Sequence, residues 1–126
     1  MPESIAWSTS FAVLLGPRVV QSGALAVDAY DKLSVHLDAG AAAVDVDVQP
    51  AATAGDVQLL VIAADSYDAG VTYSADAGAT SAVLDGLLAL IGAGAVSLLA
   101  DPPQTLQFAN PSGDPVSVDI LVGRSA

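Results

Sequence analysis

Three basic side chains (Arg18, Lys32 and Arg124) against fourteen acidic ones give this 126-residue chain a formal charge of −11. Nucleic-acid binding needs cations to displace the counterions around phosphates, and three cannot form a patch, so nucleic acid is excluded as a partner. An anionic membrane surface is excluded on the same ground. Hydrophobic residues make up 53 % of the chain and charged ones 13 %, which is not the balance of a disordered, self-repelling polymer. The length suits one domain, 1–126, with a core that needs no staple. There is no cysteine to form a disulfide or a zinc–thiolate site. Aromatics are only 5 % and alanine is abundant, which predicts a thin, tightly packed core.

Met1-Pro2-Glu3-Ser4 lacks a positive segment followed by an apolar one, so no secretory signal is expected. Phe11 to Leu15 is a short apolar run closed by the Gly16-Pro17 turn pair. Ala24–Tyr30 and Leu33–Asp38 follow as strands. In the second, Leu33, Val35 and Leu37 share one parity while Ser34, His36 and Asp38 take the other. Ala43–Gln49 is the cleanest alternation in the chain, with Asp45 and Asp47 set between valines, and Pro50–Gly55 is a loop of small residues. Val57–Ala64 is apolar on both parities, as in a strand covered on both faces.

After the Asp65–Gly70 turn comes Val71–Ala75. Leu84, Leu87, Leu88 and Ile91 follow at helical spacing, but Gly86, Gly92 and Gly94 each cost about 1 kcal/mol in a helix interior. Two strands, 82–91 and 94–100, are therefore expected, with a short helix over 82–90 as the alternative. Gly86–Ala100, the most apolar segment, is about 15 residues long and falls short of the roughly 20 a bilayer requires, so a soluble protein is expected. Leu106 and Phe108, then Val116, Val118, Ile120 and Val122, close the chain as two more strands. The D-x-Y-D frames at 28–31 and 65–68, each followed by Asp-Ala-Gly-Ala, raise the idea of a duplicated half. The predicted fold is all-β: an antiparallel β-sandwich of about eight strands, jelly-roll-like, with at most one short helix.

Chemistry has little to work with. His36, the one histidine, lies by parity on the polar side of its strand, where an exposed or cross-strand role is expected rather than general base catalysis. No Gly-x-Ser-x-Gly elbow, dinucleotide loop or Walker motif is present. The candidate metal ligands are the turn carboxylates Asp65 and Asp68, or Asp28 and Asp31, which suit calcium in type but follow no calcium-loop spacing. Asp in turns commonly caps its own backbone without a metal. Trp7, Tyr30, Tyr67 and Tyr73 suggest a sugar-stacking platform, but Tyr30 and Tyr67 fall at strand-to-turn corners, where a buried ring with its hydroxyl on the backbone is the commoner role. No catalysis and no cofactor are expected.

Apolar residues are in surplus for one thin core, so some should meet another subunit. Leu60, Ile62, Leu87 and Leu90 are the candidate interface residues. Leu106–Asn110 and Val116–Arg124 resemble the closing strands of small β-sandwich structural proteins of phage and phage-like particles. The resemblance covers about the last quarter of the chain and implies no functional residue. It implies a non-catalytic structural subunit of a particle, of head, tail or decoration type, that forms homo-oligomers or joins other particle proteins. The alternative is a small glycan- or ligand-binding sandwich module, calcium-dependent if its turn carboxylates hold the ion.

Overall fold

The computed structural model describes residues 3–48, 57–75, 81–99 and 105–124. The chain opens with an antiparallel hairpin, β1 (Glu3–Ala12) and β2 (Arg18–Val27), paired without a break from Glu3↔Val27 to Ala12↔Arg18. The chain continues through β3 (Ala29–Leu37), β4 (Val44–Asp47), β5 (Val57–Ala64), β6 (Thr72–Ala75), β7 (Ala82–Val83) and β8 (Leu88–Ile91). One helical turn, α1 (Ala93–Val96), precedes β9 (Thr105–Ala109) and β10 (Val116–Arg124).

Two four-stranded sheets form the body, in the orders β3-β10-β5-β8 and β4-β9-β6-β7. All described pairings are antiparallel. From β3 to β10 successive strands alternate between the sheets, except that β6 and β7 are neighbours in one. This winding is a jelly roll, and the expected all-β sandwich is what the chain forms. The period-two pattern of β3 and β10 drives it: Leu37, Val116, Val118, Ile120 and Val122 point inward and are buried, while Ser34, His36, Ser117 and Asp119 point outward. Leu60 and Ile62 join them from β5, and Leu106 and Phe108 face them from β9. Val48, Val71, Leu84 and Val96 add to the core from outside the strands. Among the described residues no helix is long and apolar enough to cross a membrane.

Several expectations need correction. Residues 82–91 are neither one strand nor a helix, because β7 and β8 belong to opposite sheets and the chain crosses between them at residues 84–87. The helical spacing of leucines therefore divides three ways. Leu84 enters the core, Leu88 lies half-buried against it, and Leu87 remains exposed. Over residues 94–99, the described part of the strand expected at 94–100, the chain is instead α1 and a turn. Gly92 turns there with φ 100°, and the Val96 and Ser97 amides bond back to the carbonyls of Gly92 and Ala93. At the N-terminus, Phe11–Leu15 is not an isolated run but the far end of a ten-residue strand and its turn, and Ala24–Tyr30 is cut at Asp28 between β2 and β3. The proposed duplication is split too: residues 28–31 lead into one sheet and 65–68 lie between β5 and β6. The second Asp-Ala-Gly-Ala (76–79) and the Pro50–Gly55 loop fall outside the described residues.

Candidate interaction surface

The outer face of the β3-β10-β5-β8 sheet changes character along its strands. At one end His36, Ser117 and Asp65 lie side by side. Ser34 and Asp119 form the next row, joined by a 2.8 Å hydrogen bond from the Ser34 hydroxyl. Further along, Leu121, Val61 and Ala89 are neighbours, and then Gly123, Leu59 and Ile91. The apolar half lies beneath β1. Ile5 packs so closely on Gly123 that a Cβ there would stand 2.8 Å from Ile5 Cδ1, and Leu59 is buried. This is the second cover that the two-sided apolar pattern of Val57–Ala64 requires at Leu59.

The hairpin does not close on the sheet along its whole length. An open cleft of about 310 Å³ remains between residues 5–9 of β1 and Leu59, Val61, Leu87, Ala89, Ile91 and Leu121. Among the described residues no ionisable side chain lines it. Trp7 is half-buried and lies across its pairing partner Gly23, which has no Cβ to obstruct the ring: one built there would stand 3.0 Å from it. A second, smaller apolar hollow of about 170 Å³, lined by Tyr73, Leu88, Leu90, Leu98 and Leu99, opens where β8 and β6 face each other.

Beyond Thr9 the hairpin stands free of the body. Phe11, Val13, Val19 and Val20 are exposed, and Leu14 and Leu15 are 90 % and 101 % exposed. Leu15 also has φ 59°, in the turn closed by the Gly16 amide on the Val13 carbonyl (2.8 Å). A left-handed backbone at a leucine costs about 1–2 kcal/mol, and such strain gathers where a segment serves something other than folding. The tip thus carries a hydration cost and a conformational cost together.

The residues singled out from sequence scatter over the fold. Asp31 forms an ion pair with Arg124, both partly buried. Asp65 Oδ1 accepts the Ser117 amide at 3.1 Å, and the Asp65 amide donates to the Ser117 carbonyl at 3.0 Å. The Asp68 amide reaches Ser66 Oγ at 3.4 Å, and the Asp28 amide donates to the Arg124 carbonyl. Among the described residues no three His, Cys, Asp or Glu side chains are grouped to hold a metal ion. His36 is an exposed cross-strand residue, 3.3 Å from Asp38 Oδ1 and 3.5 Å from Ser117 Oγ.

Tyr67 is the corner residue its position suggests, its hydroxyl accepting the Ala64 amide at 3.2 Å, whereas Tyr30 is exposed and not a buried corner. Tyr73 is half-buried; burial and then the nearby Asp85 carboxylate push its hydroxyl above the usual tyrosine range. Of the four candidate interface leucines and isoleucines, Leu60 and Ile62 are wholly buried inside this subunit because their strand faces the opposite sheet, so they cannot reach another. Leu90 is half-buried against the core. Leu87 is exposed and lines the cleft.

The exposed hairpin tip is not among the residues singled out from sequence. Its sequence signal was present: from residue 4 to residue 27 there is no acidic side chain, and the next-longest such stretch is 86–100. Fold and surface together define an acidic jelly-roll sandwich with a projecting, nearly uncharged arm. No family model, characterised protein or solved structure matches the chain.

Proposed function

We propose that this protein is a non-catalytic structural subunit of a proteinaceous particle, of phage head, tail or decoration type, which assembles through apolar contacts. The observation that carries this reading is the hairpin tip: six large apolar residues held in water, on a two-stranded arm, in a chain that otherwise buries its core well. An isolated patch of this kind is an interaction surface or a liability, and assembly resolves both. Jelly rolls serve as capsid modules, but also as lectins. The subunit reading is preferred because Asp65 and Tyr67 already serve backbone amides, and Asp31 is engaged by Arg124. The acidity suits the outside of a particle better than contact with packaged DNA, where carboxylate and phosphate repel.

Density-gradient fractionation of a native lysate tests it. The chain should migrate with a large particle and co-purify with shell or tail proteins. Recovery only as a free single chain would remove the particle reading. Glycan binding abolished by Tyr67→Ala would put the binding module in its place.

A further inference from the structure

The hairpin tip and the cleft at its base are complementary surfaces of one chain that cannot meet within one chain. The cleft is lined by residues 5–9 of β1, whereas the turn lies at 13–16. At about 3.3 Å per residue the Leu14–Leu15 turn stands roughly 17 Å beyond Thr9. The unbroken ladder from Glu3↔Val27 to Ala12↔Arg18 prevents it from folding back. Both surfaces are apolar and open: Leu14 and Leu15 at the tip, Leu87, Ala89 and Ile91 in the cleft.

Charge selects the occupant. The hairpin from Glu3 to Val27 holds two charges, Glu3 at its base and Arg18, and is neutral overall, so the rest of the chain carries the whole −11. Two copies approaching elsewhere would press carboxylates together, and burying one unpaired is costly. Tip and cleft bring none. An anionic lipid surface would meet the same −11.

We infer that the hairpin tip of one copy seats in the apolar cleft of a second copy, with Leu14 and Leu15 against Leu87 and its neighbours. This rests on the self-assembling subunit reading and names its interface. Two copies exchanging arms close an isologous dimer, tip to cleft both ways, whereas a one-way tip-to-cleft contact is heterologous and closes rings or extends.

Sedimentation velocity of four samples tests it: wild type, the tip double variant Leu14→Asp/Leu15→Asp, the cleft variant Leu87→Asp, and an equimolar mixture of the two variants. All three substituted residues are well exposed, so circular dichroism and melting should match wild type. Wild type should sediment as an oligomer and each variant alone at one-chain mass. The mixture should form a heterodimer, because one intact tip then meets one intact cleft. A monomeric wild type removes both this docking and the self-assembly it rests on. Variants that remain oligomeric remove the docking alone. A tip variant that dissociates without rescue in the mixture shows that the tip binds somewhere other than the cleft. A monomeric wild type that floats with phosphatidylcholine vesicles through Leu14 and Leu15 would make the arm a lipid-inserting loop instead.

Discussion

Asn110 is the most constrained polar residue described. It is fully buried, and its amide nitrogen donates to the carbonyls of Asp114 (2.8 Å), Asp38 (3.2 Å) and, at longer range, Leu37 (3.4 Å). Its side-chain oxygen accepts the Ser112 amide and hydroxyl, and its own amide donates to Ala41. One side chain thus ties the turn after β3 to the turn before β10. Asn110→Leu keeps the size and removes every side-chain bond, leaving buried carbonyls without a donor. We expect a loss of about 3 kcal/mol, read as a lower urea midpoint with an unchanged slope. Tyr73 gives a prediction in pH. Its folded hydroxyl titrates above the unfolded value of about 10, so the folded chain holds the proton more tightly. That contribution is fully present below pH 10 and is lost as pH rises through the folded value. Melting should therefore fall above about pH 10, and Tyr73→Phe should flatten the fall.

At the scale of elements, the hairpin depends on two glycines. Gly23 admits the Trp7 ring and Gly123 admits Ile5 and Val27, each by having no side chain where another must pass. Gly123→Val should lift β1 from the sheet without unfolding the sandwich, because β10 keeps its inward valines and isoleucine. Hydrogen exchange is the measurement: residues 4–12 and 18–27 should lose protection while β3, β5 and β10 retain theirs. Equal loss throughout would show that the arm and the body unfold as one unit. The arm also has two ladder edges without a partner among the described residues, and the only charges on it are Glu3 at its base and Arg18, although exposed edges are usually guarded by charge or proline. Pro17 guards only the turn. An arm left this open is consistent with a surface meant to be covered.

For the whole molecule, charge sets the conditions of association. At −11 per copy, assembly through uncharged surfaces proceeds against long-range repulsion. The Debye length falls from about 30 Å at 0.01 M salt to about 3 Å at 1 M. Self-association should therefore strengthen with added sodium chloride, measured as weight-average mass at fixed concentration. Weakening with salt would mean that ion pairs hold the copies together and would argue against a tip-and-cleft contact.

The sequence alone determined the sandwich. Alternation at Leu33–Leu37, Val44–Asp47 and Val116–Val122 states which side chains must turn inward, because a strand presents successive residues to opposite faces. The two-sided apolar run Val57–Ala64 likewise demanded cover on both faces. What supplied that cover could not be read from it. Ile5 and Thr9 look unremarkable in sequence and Trp7 suggests only a stacking ring, and they line a cleft only because β1 lies over the apolar half of a sheet whose strands come from residues 29 to 124. The crossing of residues 84–87 between sheets, the burial of Leu60 and Ile62, and the exposure of Leu14, Leu15 and Leu87 were decided the same way. Local pattern sets a residue's face within its own strand, whereas what lies opposite that face depends on pairings made across the whole chain.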